Sequence, residues 1–344
     1  MNSQEKEQVK SLWKRCFPDS EAFVDFYFTE RYNDAVSRTF YHEGKVVAAL
    51  QAIPYPMTFY GDTIATAYIS GACTDPDYRS RGYMAQLLDK THRQMFDEGI
   101  PLSTLIPAEE SLKNYYGRFG YADCFGYGER LIRKATYEQT VDNSVFSLVS
   151  VSLNQAVSPG VYHYFKQAMA ARSYCIQHSK EDFQIILGDL KISGGELLVV
   201  DKAGQIAGLA FLYYAENGLL VKELLLDETL STDQVLQSIL SYYQAESLHY
   251  LFPAQLNQKM LGMGRAIHVQ KLLDRVAAFH PELNLSIHIT GDEAIPQNNG
   301  CYVLQDGVCR KMTTLVNSPL SCNISRFTQL LFEAVHPYMS LMLD

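Results

Sequence analysis

Apolar positions recur at three- and four-residue spacing over residues 4–17 and again over 20–34, predicting two helices, the second with interleaved aromatics. The period then shortens to two. RTFYHEGKVVAALQAI and PMTFYGDTIATAYISGACT read as strands joined at EGK and YGD, both of which are turn signals. After Gly82 the helical spacing returns, with Met84, Leu87, Leu88, Thr91 and Met95 on one face, and Gly99 and Pro101 end it. LSTLIPA reads as a buried strand and EESLKNYYGRFGY as a short helix ending at Gly117 or Gly120. This first unit closes near residue 137.

The same order then recurs. Residues 195–227 give strand, turn, strand, turn, strand, with DKAGQ and AENG as the turns. STDQVLQSILSYYQAE follows as a helix with Val235, Ile239, Leu240 and Tyr243 on one face. GKVVAALQAI and GQIAGLAFLY both open the second strand of their unit with a turn and small residues. We read an internal duplication in which the second copy lacks the basic turn; a coincidental α+β domain is the alternative. FPAQLNQ (252–258) is the next boundary. Beyond it come a helix at VQKLLDRVAAFHP, strands at LSIHIT, CYVLQ and KMTTL, and a last helix at SRFTQLLFEA. The fold class is α+β with mixed sheets, in units 1–137, 138–257 and 258–344.

Composition narrows the function classes. The 344 residues suit two or three domains, and 47% hydrophobic with 19% charged residues is the balance of a packed globular chain. No apolar run approaches the roughly 18 residues of a membrane span, and the amphipathic N-terminus lacks a signal peptide's apolar core. A cytoplasmic protein without a membrane partner is expected. The seven cysteines are scattered without a CxxC pair or zinc-ligand spacing, so they read as reduced thiols, and no metal is expected. The nine histidines are spread singly and read as surface or satisfied side chains. A formal charge of −9 argues against a nucleic-acid partner and favours a cationic or amine-bearing one.

The chemistry concentrates in CTDPDYRSRGYM, residues 73–84. A turn running into a helix N-terminus presents unpaired amides and the positive end of the helix dipole, which together make an anion site. Arg79 and Arg81 add charge, and Gly82 lets the backbone come close to a bulky ligand. The stretch is neither GxxxxGK[ST] nor GxGxxG, which disfavours a nucleoside-triphosphate or dinucleotide loop. On these grounds alone an ordinary surface turn with solvated arginines remains an equal reading.

Strand, then D-P-x-Y-R-x-R-G-x-x, then an amphipathic helix resembles the acetyl-CoA pyrophosphate loop of the GNAT acyltransferase superfamily. Its pattern [QR]-x-x-G-x-[GA] is matched by Arg79 and Gly82, while Met84 stands where a small residue is usual. Some thirty residues on, YYGRFGY (115–121) resembles the signature that closes the GNAT core. The whole chain is similar to the enhanced-intracellular-survival (Eis-like) acetyltransferases, with tandem GNAT units and a C-terminal unit similar to sterol carrier proteins. It is somewhat shorter than that family would suggest and ends in aspartate where an aromatic residue is usual.

The resemblance implies acetyl-CoA as cosubstrate. Backbone groups of Ala72, Cys73 and Thr74 would bind the pantetheine arm. Ser80, Arg81, Gly82, Tyr83, Met84 and Ala85 would hold the pyrophosphate, with Arg79 contributing charge. It implies Tyr116 as general acid, a role that suits a phenol titrating near ~10; packing of a short helix is the alternative. It implies the C-terminal residue, Asp344, as base, through its α-carboxylate or its side chain; a frayed terminus is the alternative.

The expected activity is acetyl transfer to a primary amine of a polyamine, an aminoglycoside-like molecule or a lysine side chain, by direct attack in a ternary complex. Several GNAT units around a shared pocket are consistent with a homo-oligomer. A noncatalytic acyl-CoA or lipid sensor, and a tandem-GNAT acyl or aminoacyl transferase of another kind, are the rival readings.

Overall fold

The computed structural model describes residues 3–135, 146–215, 218–256, 258–314 and 320–343. In chain order the elements are α1 (Ser3–Cys16), α2 (Glu21–Phe26) continuing as a π turn (Tyr27–Arg31), β1 (Ser37–His42), β2 (Lys45–Phe59), β3 (Asp62–Thr74), α3 (Tyr83–Asp97), β4 (Leu102–Leu105), α4 (Ser111–Gly117) and β5 (Ala122–Arg133). Then come β6 (Ser147–Val151), α5 (Pro159–Ala170), α6 (Lys180–Ile192), β7 (Glu196–Lys202), β8 (Gln205–Ala215), β9 (Gly218–Leu226), α7 (Thr232–Tyr242) and β10 (Ser247–Phe252). The last are β11 (Lys259–Ala266), α8 (Val269–Phe279), β12 (Leu285–Thr290), β13 (Gly300–Gln305), β14 (Val308–Met312), β15 (Leu320–Asn323) and α9 (Ile324–Glu333).

These elements group into two compact units, 1–125 with 260–337 and 126–259 with 338–343. The expected third segment, 258–344, is therefore divided. Its first strand, β11, pairs antiparallel with β4 in the first unit, and its last residues pack in the second. The sequence announces a boundary at FPAQLNQ but not this pairing, because KMLGMGRA alternates poorly.

In the first unit the strand order is β1-β2-β3-β4-β11, antiparallel except for β3 beside β4. The sheet is dressed on both faces. Met84, Leu87, Leu88 and Met95 of α3 pack with Ala48, Leu50, Ala67 and Ile69, so the helical face read from the sequence is the buried one. Trp13 of α1 lies on the other side, and a Cβ at Gly71 would come within 2.1 Å of its ring. That contact, with a φ of +59°, is what glycine does there. A four-stranded sheet, β14-β13-β12-β15, carries α8 and α9.

In the second unit the order is β5-β10-β9-β8-β7-β6. Strand alternation sorts its core. Leu197, Val199, Leu209 and Phe211 face α5 and α6, while Leu198, Val200, Ala210 and Leu212 face Val235, Leu236, Ile239 and Leu240 of α7. The sequence reading had passed over α5, α6, β5, β6, β10 and β15. β1-β2-β3-α3-β4 and β7-β8-β9-α7-β10 share order, hairpin connections and a parallel crossover.

Candidate active site

The edge that matters is that of β3 beyond its pairing with β4. Their parallel pairing covers only Thr66–Tyr68 against Leu102–Thr104, and β3 then runs on to Thr74 beyond it. A β-bulge against β2 lies in this stretch. Ser70 lies opposite Gln51 and Cys73 opposite Ala49, so Gly71 and Ala72 together face Leu50. The main chain of 72–74 thus lies at the splayed end of a strand, where its free edge can take a polar ligand.

The turn after β3 is organised by Asp75. Its carboxylate receives Asp77 N at 3.1 Å and pairs with Lys45 and Arg15, each at 2.7 Å, although its side chain is only 1% exposed. Burial works against ionisation here. The Lys45 ammonium, the Asp77 amide and the Arg15 guanidinium outweigh it and hold the carboxyl below its usual range. Asp75 opens the D-P-x-Y-R-x-R-G stretch, where D-P-D reads as an Asx-type turn into proline, with no role of its own assigned.

Gly82 is the N-cap of α3, at φ +77°, with no side chain to cap the first amides and no acidic residue in the first turn. The amides of Tyr83, Met84 and Ala85 are therefore left for a ligand or water. An added Cβ at Gly82 meets no protein atom, so the backbone conformation is what calls for glycine. Ser80 also has a positive φ of 63°, and Ser80, Arg79 and Arg81 are exposed. Arg79 donates from Nε to Thr74 O at 3.3 Å, and Arg81 donates to Asp77 O while its guanidinium lies over the Tyr78 ring. Tyr83 stacks on Phe40 and shares a hydrogen bond with His42. Met84, the departure from the expected small residue, is buried in the core beneath the helix.

Tyr116, on α4, is 8% exposed and belongs to the same core cluster as Met84 and Leu105, with Ala72 at its margin. Burial pushes its phenol up to about 12, so it stays protonated through neutral pH. Behind it Tyr121 bonds Ser103 at 2.7 Å and His92 at 3.1 Å. His92, expected as a surface or satisfied residue, is fully buried, and burial holds its imidazole well below the ordinary value. The loop after α4 is held from β11: Arg265 donates to Phe119 O and pairs with Asp292 at 2.8 Å, both side chains 1% exposed. Sequence reasoning missed Arg265, which lies far along the chain with no local pattern.

Asp344, the expected base, lies outside the described residues. Tyr338 through Leu343 are buried in the second unit. There Tyr338 exchanges backbone hydrogen bonds with Tyr174 and Ile176, and Ser340 meets the Glu223 carboxylate, which is held by Arg172. Among the described residues no cluster of three His, Cys, Asp or Glu side chains is arranged to hold a metal, and no helix is long and apolar enough to cross a membrane.

Over residues 1–124 the chain matches a family model described as an acetyltransferase (GNAT) domain. None of the curated proteins matches it. Among solved structures it is similar to a conserved protein of Enterococcus faecalis V583 described as a probable N-acyltransferase, with a TM-score of 0.76 at 16% identity over 96% of this chain and 87% of that one. It is similar to a GCN5-related N-acetyltransferase of Anabaena variabilis, with a TM-score of 0.73 at 18% identity over 98% and 97%. It is also similar to Eis1 of Mycobacterium abscessus, with a TM-score of 0.72 at 12% identity over 96% and 88%. At such identities the likeness is one of fold. The N-terminal domain gives the class: this is an acetyltransferase of mixed α+β architecture.

Proposed function

We propose that the protein transfers the acetyl group of acetyl-CoA to a primary amine by direct attack in a ternary complex. The observation that carries this reading is the uncapped N-terminus of α3, flanked by Arg79 and Arg81 at the splayed end of β3. Acetyl-CoA supplies a thioester, whose carbonyl carbon is the electrophile. The α3 amides from Tyr83 to Ala85, with Ser80, Gly82 and the two arginines, fit a pyrophosphate. Main-chain groups of Ala72, Cys73 and Thr74 fit the amide-bearing arm and would polarise the carbonyl. Tyr116, which stays protonated, would return a proton to the departing thiolate.

The amine must lose a proton as it attacks. We assign that proton to Asp344, on the strength of the resemblance to Eis-like enzymes; an α-carboxylate titrating near ~3.5 is ionised at neutral pH. Polyamines, aminoglycoside-like molecules and lysine side chains are the acceptor classes, and the acidic chain suits cations. On this reading the four-stranded sheet with α8 and α9, within residues 258–344, is the sterol-carrier-like part, and the enzyme works in the cytoplasm as a homo-oligomer.

The test is release of the CoA thiol from acetyl-CoA across a panel of amines. We compare the full chain with one lacking Met342 to Asp344. Amine-dependent release, lost on truncation while acetyl-CoA still binds, is the expected result. Tight acetyl-CoA binding with no release to any amine would turn the reading to a noncatalytic sensor.

A further inference from the structure

Two thiols meet beside the cofactor cleft. Cys16 ends α1, and its Sγ lies 3.3 Å from the Thr74 carbonyl oxygen at the end of β3. The bulge in β3 decides what faces it. Because Ser70 lies opposite Gln51 and Cys73 opposite Ala49, Ser70 and Cys73 share one face of the sheet. That face looks toward the N-terminal helices: Ser70 bonds Tyr27 at 2.8 Å, and Trp13, one helical turn before Cys16, packs on Gly71. The Cys73 thiol, 5% exposed, therefore lies on the side of the sheet that faces Cys16, next along the chain to the Thr74 carbonyl that Cys16 contacts. Arg15 ties the same end of α1 to Asp75 and Asp77, at 2.7 and 2.9 Å.

We propose that Cys16 and Cys73 are an oxidant-responsive dithiol, which a peroxide converts to a disulfide joining α1 to the cofactor strand. The groups around Cys16 favour its thiolate. The hydrogen bond from Cys73 lowers its titration most, burial opposes this, Arg79 lowers it further and Asp75 raises it, to a net value of about 7. Arg15 on its own helix and Lys45 on β2 both pair with Asp75 and offset that carboxylate. Cys73 is driven the other way, by Cys16 and by burial, so it is the resolving thiol and Cys16 the attacking one. Cys16 is half-buried and so open to a small oxidant, whereas the other six cysteines are buried.

The chemistry balances. The Cys16 thiolate attacks one oxygen of the peroxide, the O–O bond breaks, hydroxide leaves, and sulfur is oxidised by two electrons to a sulfenic acid. The Cys73 sulfur then attacks the Cys16 sulfur, the S–O bond breaks, and the oxygen leaves as water with the Cys73 proton. The first hydroxide takes up the proton that Cys16 had lost. Two thiols and one peroxide give one disulfide and two waters.

Bond formation fixes the two sulfurs about 2.05 Å apart. It pulls the main chain at Cys73 toward α1 and away from the cleft edge. Acetyl-CoA binding should weaken on the order of tenfold, since a shift of about 1 Å at a positioning group has effects of this size or larger. This consequence rests on the cofactor site proposed above; the cross-link itself does not.

The test treats the reduced full chain with hydrogen peroxide and follows intact mass, non-reducing peptide maps and acetyl-CoA affinity. The expected product has lost two hydrogens, carries a Cys16–Cys73 linked peptide, returns to the starting mass with dithiothreitol, and binds acetyl-CoA more weakly. Alkylation of Cys16 in the untreated protein should rise with pH through a midpoint of about 7. Cys16→Ser should form no link and keep an acetyl-CoA affinity that peroxide does not change. Over-oxidation of Cys16 without a link, or links among other cysteines instead, would overturn the proposal. A clean Cys16–Cys73 link with unchanged affinity would overturn its coupling to the cleft. Failure of the reduced protein to bind acetyl-CoA would count against the cofactor site and not the dithiol.

Discussion

At the scale of single residues the site depends on side chains that set backbone as much as on those that face a ligand. Asp75 fixes the turn between β3 and α3 through two cations and an amide. Asp75→Asn should cost about 1–3 kcal/mol in urea unfolding at neutral pH, because one charged acceptor is lost while Lys45 and Arg15 can rehydrate. The pH dependence follows from its lowered titration. A carboxyl depressed in the folded state contributes stability above its unfolded value near ~3.9 and loses it as pH falls through the folded value. The acid limb of the stability profile should therefore be shallower in the variant; an unchanged limb would mean that Asp75 is not paired in solution. Tyr116 carries the other residue-level claim. Tyr116→Phe should lower kcat on the order of 100-fold or more with little change in KM for acetyl-CoA, because the hydroxyl is spent only on the departing thiolate. A rise in KM at unchanged kcat would make it a binding residue. Both residues stand in the sequence within recognisable patterns, but only the tyrosine was given a role of its own there. The carboxylate looked like punctuation, since nothing local shows that Lys45 and Arg15 converge on it.

At the scale of elements, two helix starts differ in a way that fits the proposed cofactor site in the first unit and none at the matching place in the second. α3 begins at Gly82, which offers no capping side chain. α7 begins at Ser231, whose side chain accepts from Gln234 N, and Asp233 sits in its first turn. The second helix thus caps its Gln234 amide and sets a carboxylate in its first turn, where the first leaves both amides and dipole for an anion. The strands before them are alike. β9 pairs with β10 over only Leu219–Val221 and carries its own bulge opposite Phe211 and Leu212. The loss of the basic turn was legible in the sequence, because RSRG against DETLS is a change of composition. The bulges and the splay were not, since they arise from register across strands distant in the chain. The same limit hid Arg265, whose partners Phe119 and Asp292 lie on other segments. Arg265→Met should destabilise the protein by about 3–5 kcal/mol, as removal of one partner leaves the buried Asp292 charge unpaired. Double replacement, with Asp292→Leu added, should recover part of that loss in the same denaturant titration.

At the scale of the molecule, an acetyltransferase domain is followed by a unit with the same order of strands and helix but a capped helix start. The tandem order was legible because turn signals and strand lengths repeat between 38–105 and 195–250. The division of the last eighty-odd residues was not, because β11 and the tail are short segments whose places depend on partners elsewhere. The tail gives a direct expectation. Glu223→Gln should leave Arg172 without its buried counter-ion and weaken the hold on Ser340, so hydrogen exchange should rise over 338–343 before global unfolding. The central claim is that acetyl-CoA binds at the α3 start and nowhere else on the chain. The measurement that tests it is calorimetric titration of acetyl-CoA into the wild type and into Gly82→Asp, which sets a carboxylate among the α3 amides, with the thermal midpoint of the variant checked alongside. The account predicts one site per chain in the wild type and loss of binding in the folded variant. Two sites per chain, or unchanged binding in Gly82→Asp, would contradict it.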